Sequence, residues 1–306
     1  MSKSRLTAYL FLLGTVLIWG AAIPIIKFTL GGISALPFLT YRFGLSALLA
    51  IALAPWGGLK LPPGRKIFWE TILYAVVTST ITLGLLFLGV ERTTVLDTTI
   101  INAIGPLIVV AAGALLLKEH VTHREKIGIG IAILGTFLAA LEPIFKGGAD
   151  GYQLTGNILI YLSLLTNAAS AVLAKKLLRG GVSPLALTNI SFLMGFLTVL
   201  PILALSGGYN QFIPTIQSLT FPYHLGVFYM AVLSGTFAYA LWTRAQRTIE
   251  IGEAAVFSYL YPLISAPLAV FWLGERVTAP FLAGALLVGV GVYLAEAKRK
   301  RIPQTS

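Results

Sequence analysis

Cysteine is absent from the 306 residues, and charge is scarce: only 11% are Asp, Glu, Lys or Arg. The first absence excludes disulfides, thiolate nucleophiles and cysteine-ligated metal centres. Histidine does not make up for it, because His120, His123 and His224 all fall at expected helix ends. Neither a metal site nor a cofactor is expected. The second shortage excludes a water-soluble fold. Soluble domains carry about 25% charged residues, whereas here 57% of residues are hydrophobic and the mean hydropathy is +0.87. A chain of this size could not hide so much apolar surface from water, so its outer surface faces lipid.

What charge there is sums to +11. A nucleic-acid partner would need that charge on one face, but the basic residues sit in short clusters between apolar runs. Ten such runs approach the roughly 20 residues that cross a hydrocarbon layer as a helix. They are expected near residues 7–28, 36–53, 71–88, 93–117 and 122–141, then 154–174, 184–205, 223–242, 254–273 and 279–295, and are numbered helices 1–10. Helix 1 is too long for a signal-peptide core and is read as a retained span.

Counting Lys and Arg in alternate connections orients the chain. One side collects 17: Lys3 and Arg5, Lys60, Arg65 and Lys66, Lys118, Arg124 and Lys126, Lys175, Lys176 and Arg179, Arg244 and Arg247, and Lys298 to Arg301. The other holds four, Lys27, Arg92, Lys146 and Arg276, and Arg42 alone lies within a span. The positive-inside rule therefore predicts a multi-pass protein of the cytoplasmic membrane with both termini in the cytoplasm.

The chain also repeats itself. Residues 106–139 align without gaps on 262–295, 156 positions later, with 11 of 34 identical. The matches include Pro106 with Pro262, Glu119 with Glu275, Thr122 with Thr278, Gly128 with Gly284 and Gly135 with Gly291; Asp97 falls opposite Glu253. The expected units are 1–145 and 150–297, followed by a basic cytoplasmic tail, 298–306. Each unit has five helices, and an odd number threads the second copy through the membrane in the opposite sense. Inverted repeats of this kind commonly underlie alternating access around a midplane site, so a carrier with a central cavity is expected. Thr122 and Thr278 read as helix N-caps, with Glu125 completing a capping box. The glycines of helices 5 and 10 read as surfaces for close helix packing or for a homodimer contact.

Trp19-Gly20 followed by Lys27, Arg42-Phe43, and the stretches from Gly105-Pro106 to Glu119 and from Tyr261-Pro262 to Glu275 carry a family likeness. They resemble the EamA-type permeases of the drug/metabolite transporter superfamily, over roughly residues 7–297. The resemblance implies a ten-helix bundle with a central cavity and an exporter or exchanger of amino acids, related metabolites or drugs.

Polar and bulky groups at mid-depth are the candidates for the cavity. Trp19 lies near the middle of its helix, whereas Trp56, Trp69, Trp242 and Trp272 lie near span ends, where aromatic belts form. Pro106 and Pro262 each release the carbonyl four residues earlier, at the repeat-related Asn102 and Ser258. Each is thus a kink or hinge beside a polar side chain. Thr80, Asn167, Thr236, Tyr239 and Tyr261 complete the set of cavity candidates, with interhelical hydrogen bonding as the alternative for each. Arg42 lies about 9–10 Å inside helix 2 at 1.5 Å per residue; snorkelling, pairing with Asp97 and a gate role are its three readings. Lys27 is expected to snorkel. Asp97 and Glu253 sit at helix starts, where the dipole favours an acid, with proton coupling as the functional alternative.

Without an unpaired midplane charge, the cargo expected is neutral or zwitterionic, an amino acid above all. Drug or lipid-like cargo on the same fold is one alternative, and a channel or structural subunit another. Intramembrane hydrolysis needs a nucleophile with a base or a metal cluster, so an enzyme is not expected.

Overall fold

The computed structural model describes residues 3–56, 58–61, 64–117, 122–141, 151–245 and 257–296, and these are helical almost throughout. Helix 1 is Lys3–Leu30, helix 2 Ala35–Ala52 and helix 3 Arg65–Arg92. Helix 4 comes in two pieces, Val95–Ala103 and Gly105–Leu117, and helix 5 is His123–Ala140. Helix 6 is Gly151–Arg179, helix 7 Pro184–Leu205 and helix 8 Phe221–Ala245. Helix 9 is Phe257–Phe271 and helix 10 Ala279–Glu296. Helices 1, 2, 3, 4, 6, 7 and 8 are the seven long and apolar enough to cross a membrane. Helices 9 and 10 are shorter apolar helices, and helix 5 carries Arg124, Glu125 and Lys126 in its first turns. A short amphipathic helix, Tyr209–Ser218, which has no buried residue, was not expected from hydropathy. Glu253, Glu119 and the tail 298–306 lie outside the described residues.

The helix starts follow local chemistry. Thr122 and Glu125 form the reciprocal capping box, and the Thr278 hydroxyl accepts the Phe281 N–H. Thr94 caps helix 4 by accepting the Asp97 N–H, and Ser183 caps helix 7 ahead of Pro184. Each device satisfies a backbone donor that a helix start leaves without a partner.

The packing has a regular plan. Helix 5 lies on helix 10, helix 2 on helix 7 and helix 4 on helix 9; helix 1 packs on 8 and 9, and helix 6 on 3 and 4. Exchanging each helix for the one five places away returns the same list. The contact between helices 5 and 10 gives the sense of that exchange. A Cβ on Gly128 would stand 2.5 Å from the Gly291 carbonyl oxygen, and one on Gly135 would stand 2.7 Å from that of Gly284. The early glycine of each helix meets the late glycine of the other, so the two run antiparallel with backbones in contact. The glycine face that could have served a second copy is thus occupied within the chain.

The third helix of each five carries a π-helical segment, Val76–Thr82 in helix 3 and Tyr229–Phe237 in helix 8. The fourth of each five is interrupted just before its proline. Helix 4 breaks at Ile104, ahead of Pro106, and helix 9 passes from 3-10 to α geometry after Leu260, ahead of Pro262. Ile104 and Leu260 are 156 positions apart, the spacing of the sequence repeat.

Candidate functional site

Three of the mid-depth candidates meet on one side of the bundle. The Trp19 ring of helix 1 lies 5.0 Å from that of Tyr239 on helix 8 and 6.3 Å from that of Tyr261 on helix 9, edge-on to both. Trp242 joins them, 5.5 Å from Trp19. Its place near the end of helix 8 suggested a membrane-interface belt, but the ring turns inward onto Trp19. Ser258 lies one turn before Tyr261, in the 3-10 turn that leads into the α segment of helix 9.

The π segment of helix 8 anchors this wall. A π turn misaligns the regular ladder of backbone bonds and commonly marks functional sites. Here two of its carbonyls accept side chains from other helices: Ser234 from the Trp19 indole N–H at 3.0 Å, and Ala231 from the Ser46 hydroxyl at 3.4 Å. The Tyr229 hydroxyl donates in return to the Ile18 carbonyl at 2.6 Å. Thr236 sits half-buried in the same segment.

Tyr239 is 41% exposed although it is packed against Trp19. Its phenol lies within electrostatic reach of Arg42 on helix 2, Tyr74 on helix 3 and Tyr261 on helix 9. Asn167 of helix 6 has the same character: it is exposed, yet Ile160, Ser163, Leu164 and Ser170 on the same helical face are buried.

Arg42 is only 4% exposed, and its guanidinium carbon sits 5.5, 5.4 and 5.7 Å from the ring centroids of Phe43, Phe87 and Phe192. Those rings come from helices 2, 3 and 7. Nε and Nη1 are buried without a hydrogen-bond partner among the described residues. The side chain neither snorkels to the surface nor reaches Asp97. The Asp97 carboxylate is taken elsewhere, accepting Gln153 Nε2 at 2.8 Å, Asn157 Nδ2 at 3.2 Å and the Thr93 hydroxyl at 3.2 Å. Asp97 thereby joins helix 4 to the start of helix 6, and Asn157 extends the joint to the Ala140 carbonyl at the end of helix 5.

Other candidates stand apart from the wall. Thr80 shares a hydrogen bond with Thr198 of helix 7. It also lines an apolar recess of about 210 Å³ with Leu36, Leu39, Ile81, Gly84 and Val199, between helices 2, 3 and 7. Asn102 is half-buried and donates to the Thr98 carbonyl of its own helix at 2.9 Å. Pro106 and Pro262 stand at the breaks described above.

At the end of the bundle near residues 27–35 and 91–97, side chains cap helices of other elements. Lys27 does not snorkel. Its ammonium donates to the carbonyls of Val90, Glu91 and Thr93 at 2.9, 3.2 and 2.6 Å, satisfying the end of helix 3. Glu275 accepts the Val95 and Leu96 N–H groups at 2.6 and 2.9 Å, capping helix 4. Gly274, with φ +70°, makes the reversal that brings Glu275 there. Glu91 accepts the Ala35 N–H at 2.9 Å, at the start of helix 2. Desolvation raises the Glu275 pKa above the ordinary carboxylate value, against the opposing pull of the two amides and of Lys27. Sequence marked Glu275 only as a repeat match. Its targets are backbone groups, which leave no residue signal.

Several similar proteins are named transporters or efflux pumps. The model of the EamA-like transporter family matches residues 6–141 and again 154–296. An uncharacterized transporter of Bacillus subtilis, YyaM, is 23% identical over 95% of this chain and 94% of its own length. An uncharacterized transporter of Archaeoglobus fulgidus is 26% identical over 95% and 98%. A probable amino-acid metabolite efflux pump of Salmonella typhimurium is 25% identical over 60% of this chain and 61% of its own. A solved crystal structure superposes with a TM-score of 0.61 over 94% of this chain and 96% of that one, at 16% identity, and so shares the fold.

Proposed function

Because the chain belongs to the EamA-like transporter family, which is a family of transporters and not of enzymes, we propose that it is a secondary carrier exporting or exchanging a small metabolite by alternating access. The cargo is an amino acid or a close derivative. All ten helices cross the cytoplasmic membrane, as two inverted five-helix repeats spanning 1–145 and 150–297, with both termini and the basic tail 298–306 in the cytoplasm. The end of the bundle capped by Lys27 and Glu275 is the external one.

One observation carries this reading: Gly128 meets Gly291 while Gly135 meets Gly284. Repeat-related glycines crossing antiparallel make a two-fold axis lying in the membrane plane, and such an axis equates the two faces of the protein. A site on or near that axis then opens to either face by one motion run in opposite senses. The aromatic wall of Trp19, Tyr239 and Tyr261, facing Asn167 and Arg42 across the bundle, supplies the site. The amino-acid cargo is supported by the names of the partial relatives from Salmonella typhimurium and Escherichia coli, both called probable amino-acid metabolite efflux pumps.

Counterflow in proteoliposomes tests the mechanism. Vesicles preloaded with an unlabelled L-amino acid should transiently accumulate the labelled form above equilibrium, with saturation. Flux without saturation or counterflow would indicate a channel. The native chain has no cysteine, so single cysteines placed at either terminus should react with impermeant maleimide only from the cytoplasmic side. Labelling of the two termini from opposite sides would break the inverted repeat.

A further inference from the structure

Arg42 is a membrane-embedded cation whose chemistry the packing among the described residues leaves unanswered. A buried cation is normally neutralised by a carboxylate or fully hydrogen-bonded, because desolvating it costs several kcal/mol. Among the described residues Arg42 has neither. Nε and Nη1 lack partners, and Asp97, the nearest acid expected from the sequence, is engaged by Gln153, Asn157 and Thr93. Phe43, Phe87 and Phe192 instead surround the guanidinium. Ring faces attract a cation and help to hold it in place, but they accept none of its hydrogen bonds in the plane and cancel none of its charge. A guanidinium also keeps its proton far more firmly than a buried lysine does.

The position is continuous with the aromatic wall. Phe192 packs beside Gly235 in the π segment of helix 8, the segment whose Ser234 carbonyl holds the Trp19 indole. Tyr239, two turns below Ala231 and exposed on its open side, lies within electrostatic reach of Arg42. A cation with unused planar donors therefore adjoins an amphipathic aromatic surface. Nε and Nη1 point to opposite edges of the group, and the edge that Nε shares with Nη2 is a fork that matches the two oxygens of a carboxylate.

We propose that Arg42 is the anion anchor of the translocation site, donating from Nε and Nη2 to a carboxylate of the cargo while Trp19, Tyr239 and Tyr261 contact its organic part. The proposal rests on the carrier reading and narrows it to solutes bearing a carboxylate. It also makes the free carboxylate, rather than the ammonium, the group that is selected.

The full-length protein in liposomes tests this with L-amino acids, their primary amides and their decarboxylated amines. The wild type should exchange the acids at least tenfold faster than either analogue class. R42Q and R42M should lose at least tenfold in exchange of acids while melting at or above the wild-type temperature, since each removes an uncompensated buried charge. R42K should retain an intermediate rate. Wild-type exchange of amides and amines as fast as acids would overturn the assignment and leave the carrier intact. So would wild-type half-saturation for acids in R42Q or R42M. Absence of counterflow for every compound with the wild type would overturn the carrier reading itself, and this assignment with it.

Discussion

The carboxylate of Glu275 accepts the backbone N–H of Val95 at 2.6 Å, joining the loop after helix 9 to the first turn of helix 4. Those elements belong to opposite halves of the chain. Desolvation is the largest influence on this acid and Asp97 adds to it, so Glu275 holds its proton above the ordinary value of 4.5 despite its amide donors and Lys27. The folded state then binds that proton more tightly than the unfolded one. The resulting stability is fully present below about 4.5 and is lost as pH rises through the raised value. The melting temperature of the wild type in detergent should fall across that interval. E275Q, which does not titrate, should flatten that part of the profile, and an unaltered profile would remove Glu275 from it.

Two glycines of helix 5 should respond oppositely to the same methyl group. Gly128→Ala places a Cβ 2.5 Å from the Gly291 carbonyl oxygen and 2.6 Å from the Ala295 nitrogen. Backbone cannot yield cheaply, so a loss of about 2 kcal/mol or more is expected. At Gly130 a Cβ meets nothing within 4 Å, and Ala there should stabilise by about 0.5–1 kcal/mol through helix propensity. Melting temperatures of the two variants in one detergent decide the matter.

Asp97 should prove structural before it proves mechanistic. Asp97→Ala removes the acceptor shared by Gln153, Asn157 and Thr93 in a buried joint. A cost of about 2–4 kcal/mol is expected from donors left unsatisfied. Asp97→Asn should recover part of it. Transport by the Asn variant with unchanged dependence on pH would exclude Asp97 as a coupling group, whereas a flattened dependence would assign it that role.

Trp19→Phe keeps an aromatic face toward Tyr239 and Tyr261 but loses the donor to Ser234. About 1 kcal/mol of stability should go with that bond, and counterflow should slow more than stability falls. Trp19→Ala with normal expression and normal exchange would take Trp19 out of the site.

Much of the architecture was legible because lipid imposes a simple rule: each span needs a long apolar run, and charge marks the connections. Thr122 with Glu125, and Gly128 with Gly284, could be read from residue type and spacing alone. Depth flagged Trp19, Tyr239 and Tyr261 without saying which would touch. Depth also misled at Trp242, because closeness to a span end does not decide whether a ring points to lipid or inward. The cage around Arg42 was invisible for a different reason. In a chain this apolar, Phe87 and Phe192 resemble every other phenylalanine until helices 3 and 7 are docked. Lys27 and Glu275 bind carbonyls and amides, which every residue has. The π segments depend on how neighbouring helices satisfy the backbone, and no residue type announces them.

The widened turn in helix 8 has a consequence for alignment. An α-helix advances by about 100° per residue and a π turn by less, so the segment from Tyr229 to Phe237 takes up an extra residue while the helix beyond it keeps its facing. Removing a single residue there would let the segment close to regular α geometry, with Tyr239 still turned toward Trp19 but without the displaced carbonyls that hold the Trp19 indole and the Ser46 hydroxyl. Helix 8 is therefore sensitive to residue count at this point as well as to residue identity, and a one-residue deletion would loosen the anchor of the site's wall without turning it.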